Sequence, residues 1–445
     1  MKGAVDATSA VIRNQLFGGL KMTRITIIGL NYAPERSGNA PYTTHLAKNL
    51  AAAGHSVSVV TGFPHYPEWQ RQEGYDGWQQ TESRDGVKIK RLRHYIPRKP
   101  TGFRRILLEL TFGLRVVTAR WDRPDVIVLV SPALISTGLA ALRARLSWKR
   151  TPCLIWVQDL YSRGVVETKM AAGPFARLAI RLESAILGSA DGVVAIHERF
   201  RTYITDTLDI SGRDVRVIRN WTHLPPAPAT GQQDLREKLG WKADETIVLH
   251  AGNMGKKQGL ENVIAAARLA EAGKSTVRFV LMGDGNQRPA LERAAEGIGT
   301  ISFVDSLPDA EFQTALTAAD VLLVNELPGV KEMSVPSKLT SYFNAGVPVL
   351  AATDPSSVTA EEIASAAAGV RVDADNPAAL VAAAEALGSD ESFSRELGEN
   401  GLRFRQLTLS EATAMAQYDE FIHSFIPAGR LKPAHFILSH IWGAK

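Results

Sequence analysis

Two doubly wound α/β domains, each on a parallel sheet, are the fold that this chain of 445 residues predicts. Three observations carry that reading. Short apolar runs alternate with helical patterns along both halves of the chain. A proline-rich stretch without apolar periodicity, residues 222–234, separates the halves. The length also exceeds what one ordinary hydrophobic core accommodates.

In order, residues 1–21 read as an N-terminal extension, because Met22 stands just before the first strand, Ile25 to Gly29. A helix from Tyr42 to Ala53 ends at Gly54, which suits a left-handed cap. Strands follow at Val57 to Thr61, Asp125 to Val130, Cys153 to Val157 and Gly192 to Ile196, completing a first domain over 22–221. After the linker, strands are expected at Thr246 to His250, Val277 to Met282, Thr300 to Phe303, Asp320 to Val324 and Val347 to Ala351. With helices at Gly259 to Ala272 and Asp309 to Ala319, they form a second domain over 235–404. Residues 405–445 stop alternating: Glu411 to Phe425 reads as a helix, broken by Pro427 and Pro433.

Hydrophobic residues make up 45% of the chain and charged residues 22%, the balance of a globular protein. The single cysteine, Cys153, excludes an intramolecular disulfide and an all-cysteine metal site. No apolar run is long enough to span a bilayer, and residues 1–21 lack the apolar core of a signal peptide, so a cytoplasmic location is expected. Net charge is +5, unevenly spread. Between Arg84 and Arg123 the cations far outnumber Asp85, Glu109 and Asp122, and such a patch seeks phosphates on nucleic acid or anionic lipid. No recognised nucleic-acid module accompanies it, so no nucleic-acid partner is expected. Phe103, Ile106, Leu107, Leu110, Leu114 and Val117 recur at helical spacing among Arg104, Arg105, Arg115 and Arg120. That basic amphipathic helix suits an anionic membrane surface and equally suits packing on its own sheet; Arg143, Arg145, Lys149 and Arg150 extend the charge.

Phosphate chemistry is written most clearly in residues 328–349. A strand runs into a loop with Ser334, Val335, Pro336, Ser337 and Lys338 before a short helix. Free amides at a helix start, with a cation and hydroxyls beside them, at the carboxyl end of a parallel strand, suit a diphosphate. The loop from His250 to Leu260 adds Gly252, Asn253, Gly255, Lys256 and Lys257, glycines for close backbone approach and lysines for charge. A plain strand-to-helix turn with solvated lysines fits the same spacing. Gly283-Asp284-Gly285 is first a packing turn, with a nearby ligand as the alternative. In the first half, the loop Asn31 to Ala40 enters a helix with Ser37 and Asn39 as cap candidates beside Gly38. The stiff loop Phe63 to Trp69 offers His65 and Tyr66 to a sugar ring or lipid. Asp159 ends a buried strand, where a carboxylate needs a partner; it suits binding or deprotonating an acceptor hydroxyl, and a structural cap serves as well. For His197 the structural reading leads; His65 stays open.

Together, Phe63 to Trp69, Val157 to Tyr161, Arg219 to Trp221, Gly252 to Gly255 and Val335 to Lys338 resemble the family 4 glycosyltransferases, in the subgroup typified by colanic-acid and exopolysaccharide enzymes. The resemblance implies a GT-B fold, with an acceptor domain and a nucleotide-sugar domain facing across a cleft and the terminal helices crossing back to the first. It implies retaining transfer from a nucleotide sugar to a lipid-linked glycan, on a polyprenyl-diphosphate carrier, at the inner membrane of a bacterium. Neither metal nor other cofactor is expected. Lys256, Lys257 and Lys338 with the loop amides would stabilise the leaving diphosphate, Asp159 would serve the acceptor, Ser306 and Leu307 would lie in the loop over the base, and Gly38 and Asn39 beneath the phosphates. The family's two glutamates eight apart fall here on Met333 and Ser341, so Ser341 would make a weaker ribose contact; Asn253 and Gln258 replace the family's Arg and Lys. A sugar-nucleotide epimerase of the same fold, or a non-catalytic nucleotide-sugar-binding partner subunit, are the alternatives.

Overall fold

The computed structural model describes residues 22–35, 38–99, 102–148, 150–162, 174–210, 214–222, 227–228, 230–329 and 337–426. Two compact units divide it: residues up to Asn220 together with those from Ala414 onward, and Trp221 to Thr413.

Unit 1 is built on β1 (Arg24–Ile28), α1 (Ala40–Ala52), β2 (Ser56–Gly62), β3 (Gln79–Arg84), β4 (Val87–Leu92), α2 (Gly102–Thr118), β5 (Val126–Ser131), α3 (Leu134–Leu146), β6 (Cys153–Val157), α4 (Pro174–Leu187), β7 (Gly192–Ala195), α5 (Glu198–Thr202) and β8 (Asp214–Val217). The strands lie in the order β3-β4-β2-β1-β5-β6-β7-β8, all parallel except the β3–β4 hairpin. β1 sits between β2 and β5, with Ile27 opposite Val59 and Val128. Its residues Ile25, Ile27 and Ile28 are all buried, as a strand covered on both faces requires. Gly54 does adopt the left-handed conformation after α1, at φ +97°. α2, α3 and α4 pack side by side at glycines: a Cβ on Gly113 would meet Leu139 at 2.7 Å, and one on Gly138 would meet Ile186 at 2.8 Å.

Unit 2 follows the same plan with α6 (Gln232–Leu239), β9 (Thr246–Ala251), α7 (Glu261–Ala272), β10 (Val277–Met282), α8 (Arg288–Ala294), β11 (Ile301–Val304), α9 (Asp309–Ala318), β12 (Val321–Asn325), α10 (Ser337–Ala345), β13 (Val349–Ala352), α11 (Val358–Ala366), β14 (Gly369–Val372), α12 (Pro377–Ser389) and α13 (Glu391–Leu407). Its sheet is wholly parallel, in the order β11-β10-β9-β12-β13-β14. The order in which strands are added reverses between β9 and β12, the switch point where open α/β sheets bind ligands. Two apolar clusters, one on each face, hold the sheet; Leu249 and Tyr342 belong to one, Val248 and Phe279 to the other.

The last helix among the described residues, α14 (Glu411–Ser424), completes unit 1. Tyr418 lies edge-on to Trp156 at 5.2 Å, and Phe421 and Phe425 close over Gly192, whose absent side chain makes room for their rings. Burying Phe421 alone contributes roughly 2 kcal/mol.

Three departures from the sequence reading have physical causes. The helix after the lysine loop starts at Glu261, because Gly259 is left-handed (φ +54°) and a Cβ there would strike Leu327 at 2.9 Å. β13 begins at Val349, since Gly346 (φ +68°) still belongs to the turn. Strands β3, β4, β8 and β14 were not anticipated: β3 is almost wholly exposed, and β14 is half-buried throughout, so neither carries a buried apolar run.

Candidate functional site

At the carboxyl end of β9 the chain turns at Gly252 (φ +126°), and the wholly buried Met254 pins the loop. The Met254 amide donates to the Asp284 carbonyl (2.8 Å), and the Gln287 amide donates to the Met254 carbonyl (3.0 Å). The two loops touch backbone to backbone: a Cβ on Gly283 would lie 2.1 Å from the Gly252 oxygen, and one on Gly285 2.5 Å from the Met254 oxygen. Gly283 is therefore a packing glycine, the first of the two readings given above. Lys256 and Lys257 follow in a single 3-10 turn, both exposed. Gln258 accepts from the Gly255 amide through its side chain (3.1 Å) and so shapes the loop. With Asn253, Gly255 and Asn286, these residues line an open cavity of about 520 Å³. That volume is of ligand size.

Two buried asparagines brace this loop from below. Asn325, at the end of β12, donates to the carbonyls of Gln258 (2.8 Å) and Gly259 (2.9 Å) and accepts from Asn262 (2.9 Å). Tyr342 closes the switch point. Paired residues of β9 and β12 stop at Leu249 and Leu322, and just beyond, the Tyr342 hydroxyl accepts from the Ala251 amide (3.0 Å) and donates to the Leu323 carbonyl (3.2 Å). Lys338, from the first turn of α10, reaches the same place: its Nζ lies 3.5 Å from Nε2 of His250 on β9. Burial, helped by the Lys338 charge, pushes the His250 imidazole well below its ordinary range and keeps it neutral.

Ser334, Val335 and Pro336 lie outside the described residues; the backbone of Ser337 opens α10, and Ser341 is half-buried one turn on. Glu326 is taken up structurally, accepting from the hydroxyls of Thr353 and of Thr359 (2.6 Å). Arg288 joins two neighbouring loops: it donates to the Gly283 carbonyl (2.7 Å) and pairs with Asp305 (2.7 Å), the residue before Ser306 and Leu307. Ser306 is exposed, whereas Leu307 packs against the core.

In unit 1 the loops after β1 and β2 are tied by Glu35, a buried carboxylate that accepts from the amides of His65 (2.8 Å) and Tyr66 (2.9 Å) and from the Asn31 side chain (3.0 Å). Gly38 (φ +66°) approaches the Tyr66 ring, while Asn39 holds the cap position of α1 without a side-chain cap bond, its backbone already being helical. Ser37 falls outside the described residues. His65 is buried, donating from Nδ1 to the Phe63 carbonyl (2.9 Å) with His94 edge-on at 5.0 Å. Burial, with His65 beside it, drives His94 down to about 3. His197 caps α5, accepting from the Arg199 amide (3.2 Å), the structural role favoured by the sequence. Asp159 is a correction: its side chain is exposed, not buried, and it accepts from the next amide, Leu160 (2.8 Å). The burial argument for its chemistry therefore falls away, though it still stands two residues past the end of β6, at the sheet's carboxyl edge.

Sequence reasoning missed His250, Asn286, Asn325 and Tyr342 as parts of this site. His250 and Asn325 stand as polar residues near the ends of buried strands, whereas nothing in the pattern marked Asn286 or Tyr342.

Residues 37–221 match the family described as "Glycosyl transferase 4-like domain", and residues 231–404 match "Glycosyl transferases group 1". The chain is 30% identical over 340 residues to the putative colanic acid biosynthesis glycosyl transferase WcaI of Escherichia coli K12, covering 73% of this chain and 81% of that protein. Among solved structures it resembles a sucrose-phosphate synthase from Thermosynechococcus elongatus (TM-score 0.67, 20% identity, 90% of this chain and 98% of that one). It is similar also to HepE of Anabaena in complex with UDP (TM-score 0.66, 16% identity, 90% and 100%).

Proposed function

From the premise that this chain belongs to the family 4 glycosyltransferases of GT-B fold, we propose that it moves a sugar from a nucleoside-diphosphate donor to a lipid-linked glycan in polysaccharide biosynthesis. The observation that carries the donor half is the convergence at the β9–β12 switch point: Lys256 and Lys257 line the cavity after β9, and Lys338 reaches β9 from α10. Cations held by a rigid backbone suit a diphosphate whose charge grows as the sugar departs. Such a site stabilises the leaving group without a metal, and the reading includes transfer with retention. UDP, seen with HepE, is a reasonable first donor nucleotide to try.

The acceptor half rests on the surface of unit 1. Among the described residues no helix is long and apolar enough to cross a membrane. Yet α2, α3 and α4, packed side by side, expose Phe103, Leu110 and Leu114, then Leu142 and Leu146 with Trp148 just past the helix end, then Leu178 and Leu182. Phe103 is 75% exposed and Leu146 77%. Arg104, Arg105, Arg145, Arg177 and Arg181 lie on the same helices. Apolar side chains among cations suit an anionic lipid surface, where a polyprenyl-linked acceptor resides. The reading therefore has the enzyme on the cytoplasmic side of the inner membrane as a peripheral protein, and the exposed apolar side chains among cations support it.

The test is release of nucleoside diphosphate from UDP-, GDP- and dTDP-sugars, with and without a bacterial membrane-lipid extract. Release from one donor only with lipid, with sugar appearing in the lipid fraction, is expected. Conversion of the sugar without lipid would point to an epimerase instead, and donor binding without turnover would point to a partner subunit.

A further inference from the structure

We infer that His250 is a positioning residue for the donor reaction: its imidazole accepts a hydrogen bond from the Lys338 ammonium and thereby aims that cation at the donor diphosphate. The inference rests on the donor site proposed above. Lys338 stands in the first turn of α10, where the partial positive charge of the helix end disfavours a cation. Its ammonium is therefore held against the local field by what it contacts, and Nε2 of His250 lies 3.5 Å away. An ammonium only donates, so Nε2 accepts and the ring proton sits on Nδ1. Burial and the Lys338 charge keep the ring neutral, which preserves the Nε2 lone pair.

The cost of the histidine points the same way. His250 is wholly buried in a strand whose other core positions are apolar, between Leu249 and Ala251 and opposite Leu281 of β10. An aliphatic residue would pack there without the desolvation penalty of an imidazole. The imidazole adds direction: it anchors a lysine from the β12 side of the switch point to the strand that launches Lys256 and Lys257. Those two are exposed on a loop, whereas Lys338 is half-buried and fixed from beneath. Preorganising a cation in this way lowers the reorganisation needed as charge develops on the leaving group.

A double-mutant cycle on the full chain tests this, using isothermal titration with UDP, GDP and dTDP and taking the tightest binder as probe. Lys338→Met and His250→Leu should each weaken binding about tenfold or more, the worth of a charge-assisted contact. The double variant should bind no more weakly than Lys338→Met alone. His250→Gln, whose amide oxygen reaches the Nε2 position, should stay within about threefold, whereas His250→Asn, which reaches only the Nδ1 position, should fall with the leucine variant. If the leucine variant does not fold, the Gln and Asn pair decides. Losses that add in full, or Asn binding as well as Gln, would overturn the inference. A readout without nucleotide separates it from the donor-site reading: the histidine Cε1–H NMR resonance absent from His250→Gln should move in Lys338→Met. A resonance that does not move overturns the pairing whatever the donor proves to be. Absence of binding by the native chain to all three diphosphates overturns the donor site, and with it this role.

Discussion

His55 Nε2 lies 2.7 Å from Oδ1 of Asp419, joining the turn after α1 to α14, the last helix among the described residues, across 364 positions of sequence. His423, one turn further along α14, lies 3.4 Å from the same oxygen, and its Nε2 meets the Thr23 hydroxyl at 3.2 Å. Burial works to raise the Asp419 carboxyl, but hydrogen bonds from His423 and His55 outweigh it and hold the group at about 2. The ordinary value being higher, this carboxylate contributes stability that is complete above about pH 4 and is lost as pH falls through about 2. Asp419→Ala should destabilise unit 1 by about 3 kcal/mol at neutral pH, because it strands a buried histidine. Thermal melts of the two proteins would measure it; a change below about 0.5 kcal/mol would remove this cluster from the account of how α14 is held.

Glu109 gives a pH effect of the opposite sign. On α2, it accepts from the Ile135 amide (2.9 Å) at the start of α3, and burial lifts its carboxyl to about 7 against the pull of that bond and of Arg105. Between about pH 4.5 and 7 the folded chain holds a proton that the unfolded chain has released, so this group makes stability decline over that window. Glu109→Gln keeps an acceptor for Ile135 and should flatten the decline, gaining roughly 3 kcal/mol relative to the native chain near pH 8. Urea midpoints at pH 4.5 and 8 compare the two slopes; parallel slopes would contradict it.

The donor loop should be intolerant of one methyl group. Gly283→Ala places a Cβ 2.1 Å from the Gly252 oxygen at φ +130°, and the neighbour is backbone, which cannot rotate away. A cost of about 2–4 kcal/mol is expected, together with weakened nucleotide binding. Gly297→Ala, also at positive φ but with nothing within 4 Å, should cost about 1 kcal/mol and leave binding intact. Equal behaviour of the two in melts and titrations would mean that the contact between the loops is dispensable.

Lipid attachment is open to a vesicle assay. Phe103→Ser with Arg104→Glu and Arg105→Glu removes an exposed ring and reverses two charges on α2, a helix otherwise anchored by Leu108, Phe112 and Val116. Co-sedimentation with vesicles containing anionic lipid should fall by at least about tenfold, at roughly 1 kcal/mol per charge, and the native chain should release at high salt. Unchanged sedimentation would separate this face from the membrane.

What the sequence made legible follows from where apolar side chains go. Strands β1, β2, β5, β6 and β9 are continuous buried runs, and each appeared as such within a residue or two. β3 reads Gln-Gln-Thr-Glu-Ser-Arg and lies exposed at a sheet edge, where no apolar pattern is needed. In the site, glycine and lysine advertised the loop after β9, because their conformational freedom and charge are properties of single residues. His250 with Lys338, Asn325 with Gly259, and Tyr342 with Ala251 are relations across 66 to 91 positions, created only when β9 and β12 come together. Asp159 shows the converse: ending a buried strand was read as being buried, but the chain had already turned outward.

The place of α14 also sets an order of events during synthesis. Tyr418 against Trp156, Phe421 and Phe425 over Gly192, and Asp419 against His55 all close a unit whose other residues end at Asn220. The ribosome must therefore make the whole of unit 2 before the first sheet receives its final cover. At ordinary translation speeds of about 5–20 residues per second, that leaves the apolar surface around Trp156 waiting for roughly 10–40 seconds. During that interval the nascent chain is a natural client for holding chaperones, and a stop codon a few dozen residues early would yield a polypeptide whose second half is finished and whose first half never is.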